Sequence, residues 1–406
     1  MKIHIKNIAK LNIFDLQIVL MYLVFLKPPI IDDIQILDLI WNALRVVWTV
    51  WYSFKFLLKK KKMAIGWYFY FGSFVAVLFS TIIQSGQMSV VIGHFIPTLG
   101  IVAWIELNKK YLDRIFKWFC IVGGLLICIN LLTIIVFPDG ILKRDTYMSV
   151  WLLGQKQEFI NCALGVIVFA GICGYKDLVS SNFIRLVLGA IIISMLYLKP
   201  MGPIIACVIL IFIFLIERVA KIYFGNVFLY IISIFGEMVV LLLAYEYKNM
   251  TWLQLFLNGF ATSGMSKGET IGTRAAMWEY ACEMFLQNPI IGAGQVTEQV
   301  WYETSNLYFY HSIVHNMYLD FAFTGGIIAL VFFLLLNVRA ITRLQKYYGS
   351  KIARFVGICF FALSVLQLLE CLYNPMVVLI YFLPEWLYII QSKEDRRLLN
   401  DKNAYK

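Results

Sequence analysis

Mostly apolar runs recur from Leu11 to Ile390, and most are long enough to cross a bilayer, since a hydrocarbon core of about 30 Å takes about 20 residues of helix. They lie near 11–28, 35–55, 63–83, 88–106, 115–137, 157–175, 185–199, 201–217, 226–246, 317–337, 353–371 and 375–391. Lipid offers a backbone no hydrogen bonds, so such runs must satisfy their own as helices. Composition agrees: 61% of the 406 residues are hydrophobic and 15% charged, where a soluble globular chain has about a quarter of its residues charged. The expected fold class is all-α, a polytopic integral membrane protein of about 12 transmembrane helices.

Charge tests that layout. The formal charge of +11 does not mark a nucleic-acid partner, because the positive residues fall in short clusters between apolar runs and not along one soluble face. Lys2, Lys6 and Lys10 resemble the start of a signal peptide, but no small-residue cleavage site follows and Pro28 and Pro29 end the run, so it reads as a first span. With the N-terminus cytoplasmic, the inner segments hold Lys59 to Lys62, Lys109, Lys110, Arg114, Lys176, Arg185, Arg218, Lys221, Arg339 through Arg354, and the tail. About 26 of the 35 Lys and Arg residues then lie inside or at an inner edge, which favours an even number of spans and two cytoplasmic termini. The short spans near 185–199 and 201–217 flank Lys199, Pro200 and Gly202, where a tight outer turn or a hairpin that stops short of the far side would both fit. The chain thus divides into an N-terminal bundle of about nine spans (1–245), a large extracytoplasmic loop (246–316), C-terminal spans (317–392) and a cytoplasmic tail (393–406).

Most outer connections can only turn the chain, but the large loop can do more. It contains an amphipathic helix expected from Thr273-Arg274 to Gln287, with Thr273 as N-cap and Met277, Trp278, Ala281, Phe285 and Leu286 as the apolar face. Pro289, Gly292 and Gly294 then stop it. Arg274, in the first turn, gains nothing from the helix dipole, so either an anion such as phosphate or a lipid head group accounts for it. His311 and His315 stand four apart and share a face if the next helix begins before them. They could act as a base on a sugar hydroxyl, bind a metal, or simply hydrogen-bond at a helix end. No third ligand stands at a familiar spacing, so no metal and no cofactor is assigned. His94 reads as a buried hydrogen-bonding residue. Lys143, Arg144, Lys156 and Lys199 are outward cations against the general bias, each a solvated loop charge or part of a site for an anionic ligand. Glu269, Glu279, Glu283, Glu298 and Glu303 form a polar face or orient a base. Of eight cysteines, six lie in apolar runs, and only Cys282 and Cys371 could form a bridge outside.

Arg274-Ala-Ala-Met-Trp278, then Pro289-Ile-Ile-Gly292-Ala-Gly294, then His315-Asn316-Met-Tyr318, then Gly325-Gly326 together resemble the O-antigen ligase/polymerase family. The resemblance is carried by residues 270–330. It implies a metal-independent glycosyltransferase of the bacterial cytoplasmic membrane that acts on undecaprenyl-diphosphate-linked glycans at the outer leaflet. Arg274 would hold the diphosphate and His315 would help activate the acceptor hydroxyl. His311, Asn316, Trp278, Tyr318 and Lys156, next to Gln155, would line the substrate site. The family's second arginine is replaced by Lys199, a point charge that cannot clamp a diphosphate through two parallel hydrogen bonds. The implied partners are a lipid-linked oligosaccharide, a glycan acceptor, membrane lipid, a chain-length regulator and a flippase.

A polymerase of lipid-linked repeat units is the first expectation, because Lys- and Ile-rich composition suits a Gram-positive capsule producer without lipid A. A ligase that moves the finished glycan to another acceptor is the alternative. A lipid-glycan transporter would show paired halves and interrupted helices, and no such symmetry is found. A structural scaffold has no reason to gather Arg274 and two histidines in one loop.

Overall fold

The computed structural model describes residues 12–59, 63–143, 149–156, 158–198, 226–245, 271–297, 299–301 and 314–391. It is mostly helical. The helices are α1 (Ile13–Phe25), α2 (Gln35–Leu58), α3 (Ile65–Ile83), α4 (Met88–Leu107), α5 (Leu112–Val136), α6 (Phe159–Tyr175) and α7 (Ser181–Leu198). They continue with α8 (Asn226–Tyr245), α9 (Ile271–Gln287), α10 (Met317–Lys346), α11 (Lys351–Gln367), α12 (Pro375–Val378) and α13 (Leu383–Ile390). A small antiparallel hairpin pairs β1 (Leu142–Lys143) with β2 (Ser149–Val150). Among the described residues, α3, α4, α5 with its preceding turn, α7 and α10 are long and apolar enough to cross a membrane, and α1 and α6 are shorter apolar helices. The expected span near 201–217 lies outside the described residues, as do Lys199, Arg144, His311 and the tail.

The outward surface is apolar: Leu39, Val47, Leu132, Leu196 and Phe235 are each more than half exposed. Exposure on this scale suits lipid as solvent. Inside, α10 packs along α3, α2 along α4, and α5 against α6 and α7. The last expected span is not one helix. A 3₁₀ turn at Leu379–Tyr381 separates α12 from α13, and Leu379, Phe382, Leu383, Leu387 and Ile390 have no exposed surface. Irregular backbone at membrane depth is tolerable there because protein, not lipid, surrounds it.

Charge pairs lie at both ends of the bundle, several of them at the end away from the large loop. Glu385 receives Arg339 at 2.6 Å and Arg343 at 3.2 Å, Glu106 receives the Trp386 indole at 2.6 Å, and Asp15 receives Arg114 and Trp118. At the other end Lys27 pairs with Asp32 and Asp38, and Arg45 donates to the carbonyls of Val24 and Phe25 that close α1.

The glycine motifs explain how the loop is fastened. Gly326 interrupts α10 with φ 65° and ψ −166°, which removes the helical bond that Ile327 N–H would give to Phe323 O. The turn after α9 takes up the freed groups: Ile327 N–H donates to Pro289 O at 2.8 Å, and Phe323 O accepts from Ala293 N–H at 2.7 Å. Thr324 O accepts from Gly294 N–H at 3.1 Å. Buried backbone groups need such partners, so the break and the turn require each other. A Cβ on Gly326 would sit 2.2 Å from Ile290 O, and one on Gly292 2.5 Å from Gly326 N. The same turn reaches α3, where Gln295 N–H donates to the Thr81 hydroxyl at 2.9 Å.

Helix α9 differs from expectation in two ways. It begins at Ile271, so Thr273 lies within the first turn and is not the N-cap. Its buried face is Met277, Trp278, Tyr280 and Ala281, packed with Ala293, Val296, Val314 and Phe323, while Leu286 is exposed. The helix therefore lies against α8 and α10 as part of the bundle's cap. Cys282 and Cys371 are not bridged.

Candidate active site

His315 lies outside any helix. Asn316 is the N-cap of α10, its Oδ1 accepting from Leu319 N–H at 2.9 Å, so the helix starts too late to put His311 and His315 on one helical face. The His315 backbone sits in the left-handed region at φ 54°. That conformation costs a side-chain-bearing residue roughly 1–2 kcal/mol, so its neighbours must hold it. They do so on both sides. Val314 O accepts from the Trp278 indole at 2.9 Å, and Val314 N–H donates to the Asp320 carboxylate. Asn316 Nδ2 donates to Glu237 Oε1 at 2.8 Å and to Leu368 O at 3.3 Å.

The ring that this backbone presents meets a carboxylate that sequence reasoning missed. His315 Nδ1 lies 2.9 Å from Glu370 Oε2, with the side chains 12% and 13% exposed, so the pair is shielded yet reachable. An ionised carboxylate only accepts, so Nδ1 carries the proton, and in the neutral ring Nε2 then keeps a lone pair. Such a ring can take a proton from a hydroxyl, and the carboxylate then stabilises the imidazolium.

Around the pair the turn between α11 and α12 is tied to the start of α10. The Tyr373 hydroxyl donates to Asp320 Oδ2, and the Tyr373 ring stacks on His94 at 4.2 Å and 5°. Burial, and then the adjacent Asp320 carboxylate, push the Tyr373 hydroxyl well above its ordinary range, so it stays a donor. The Cys371 sulfur lies against the backbone N–H groups of His315 and Asn316, which accounts for this thiol without a disulfide.

The structure thus brings Trp278, His315, Asn316 and Tyr318 together. Tyr318 is buried, its ring edge-on to Phe333 at 5.3 Å. Arg274 is the fourth residue of α9, one turn before Trp278 on the helix that cradles Val314. Lys156 is exposed on a separate loop, which packs on the Pro29–Asp33 turn through Ile30 N–H and Leu152 O at 3.4 Å. Lys143 lies exposed on β1.

Glu237 and Asp320, inside apolar runs, carried a readable signal that motif spacing did not use. Glu237 is the one charged residue of α8, and an ionisable residue inside an apolar run marks function by default. Glu370 stands 55 positions after His315, so nothing local joins them.

Residues 183–334 match the model of the family described as O-antigen ligase. The matched segment is less than half of the chain; it includes Glu237, Arg274, His315, Asn316 and Asp320 and ends before Glu370. No curated protein matches the chain.

Proposed function

We propose, for a chain that belongs to the O-antigen ligase/polymerase family through residues 183–334, that it is a polysaccharide repeat-unit polymerase. Members of this family are glycosyltransferase-like enzymes acting on lipid-linked glycans. In our reading the growing glycan leaves its undecaprenyl diphosphate carrier for a lipid-linked repeat unit at the outer leaflet of the cytoplasmic membrane. About twelve spans and two cytoplasmic termini put residues 246–316 and the turn carrying Glu370 on that side.

The observation that carries the proposal is the 2.9 Å contact between His315 and Glu370 beneath the helix that bears Arg274. An acceptor hydroxyl gives its proton to His315 Nε2 as its oxygen bonds to the anomeric carbon, and the bond from that carbon to the diphosphate oxygen breaks. Glu370 offsets the charge that appears on the ring. Arg274 and the N-terminal N–H groups of α9 stabilise the charge that appears on the diphosphate. Lys199 and Lys156 add outward positive charge, so the reading calls for no metal. Nε2 then loses its proton to solvent or to the released diphosphate, which leaves the ring neutral for the next acceptor.

A ligase, which moves the finished glycan to another acceptor, uses the same chemistry, and the description of the matched family favours it as the second reading. Deletion of the gene and complementation with wild type, Arg274→Ala or His315→Ala at matched membrane abundance separates the two. Polymerase predicts a single repeat unit accumulating on the carrier, corrected by wild type and by neither variant. Full-length glycan stranded on the carrier assigns a ligase, and an unchanged length ladder with both variants removes the site assignment. A chain-length regulator and a flippase are the partners such a polymerase needs.

A further inference from the structure

Two buried carboxylates close to His315 take no part in the chemistry above. Glu237, 6% exposed, faces Asn316, and its Oε2 has no hydrogen-bond partner among the described residues. Asp320, 3% exposed, holds Val314 N–H and the Tyr373 hydroxyl. Charges at these depths are costly to a membrane protein. Neither is hydrogen-bonded to the His315 ring. Each holds one of its chain neighbours.

We propose that Glu237 and Asp320 are positioning residues of the transfer reaction: a clamp on Asn316 and Val314 that fixes the left-handed backbone of His315 and so keeps its ring on Glu370. The proposal rests on the reading of His315 as the base. The Asn316 amide could sit either way round. Leu319 N–H can only donate, so it takes Oδ1, which caps α10, and turns Nδ2 towards Glu237 Oε1, which accepts from it. Asp320 reaches the other flank and, through Tyr373, fastens the turn that carries Glu370 to the same point. Released at either flank, the 314–316 segment can relax towards extended backbone, which carries the ring away from its carboxylate. A displacement of about 1 Å at a reacting group can cost about 100-fold in rate.

The test uses the full chain in nanodiscs and lipid-linked repeat units isolated from the deletion strain. Glu237→Leu and Asp320→Ala are expected to lower kcat roughly 10- to 100-fold, with the donor KM within about threefold, and Glu237→Gln, which still accepts from Asn316, is expected to keep kcat within about threefold. A role in stability alone lowers the yield of folded protein and leaves kcat per folded molecule unchanged. Monodisperse Glu237→Leu and Asp320→Ala proteins with wild-type kcat overturn the clamp.

If Glu237→Leu does not accumulate, Asn316→Asp decides. Alone it sets two carboxylates face to face and loses at least about tenfold, and adding Glu237→Gln, which can donate to the new carboxylate, restores at least about threefold. Absence of restoration overturns the clamp. His315→Ala measured alongside separates the two levels. If it is inactive while the clamp variants run at full rate, only the clamp fails; if it is active, the base reading fails and takes the clamp with it.

Discussion

His315 shows what the proposed base demands of its neighbours: a conformation that ordinary residues avoid, held by hydrogen bonds at 314 and 316, presenting Nδ1 to Glu370 at 2.9 Å. Removing that carboxylate leaves the ring free to turn and its cationic form uncompensated. Glu370→Ala is therefore expected to lower kcat about 100-fold, and Glu370→Gln, which keeps an acceptor without the charge, by about tenfold, both read from single-turnover transfer rates. Cys282 gives a second prediction at this scale. Burial, then Glu279 and Glu283, push its thiol up to about 11. A raised value means that the unreactive thiol predominates below that pH. Alkylation by iodoacetamide of a variant whose only cysteine is Cys282 should keep accelerating above pH 9, where an exposed cysteine has levelled off. A plateau near pH 9 contradicts the assignment. His315 and Asn316 were legible in the sequence because they sit in one short motif. Glu370 was not, because its link to His315 exists only once α10 and α11 have turned the chain back.

Among elements, the break in α10 is the most informative. Gly325-Gly326 and the turn with Gly292 and Gly294 are both visible in the sequence, yet their spacing does not say that each supplies the other's missing hydrogen bonds. Gly326→Ala must accept φ 65° and a Cβ 2.2 Å from a carbonyl oxygen, so we expect it to destabilise the protein by more than about 2 kcal/mol. Gly189→Ala, in α7 with nothing within 4 Å of the added methyl, should be neutral or stabilising by up to about 1 kcal/mol. Thermal unfolding in detergent compares the two, and equal transitions contradict the interlock. The amphipathic period located α9 but misjudged its faces: Leu286, grouped with the apolar side, faces outward, while Tyr280 packs inward against Trp301 at 4.8 Å.

At the scale of the molecule, the apolar runs and their charged flanks separated two ends of the bundle, and the structure fills those ends with different chemistry. One end is closed by Arg339, Arg343, Arg114 and Lys109 on buried carboxylates. The other gathers His315, Glu370 and the helix of Arg274. In a background freed of native cysteines, Lys143→Cys is expected to react with an impermeant maleimide in intact cells and Lys346→Cys only after permeabilisation. Labelling of both in intact cells contradicts the topology. What composition and periodicity could not provide was the interior of the last span, because a run from Pro375 to Ile390 that is apolar on all sides looks the same whether it is one lipid-facing helix or a broken segment at the centre.

The central claim is that this chain elongates a lipid-linked glycan with His315 as the base. It is tested most directly by incubating the purified protein in nanodiscs with lipid-linked repeat units and following product length and released carrier diphosphate together. Wild type should build a ladder with one diphosphate released per linkage, and His315→Ala, folded and at equal concentration, should build none. A ladder of undiminished length and rate from His315→Ala would contradict the account.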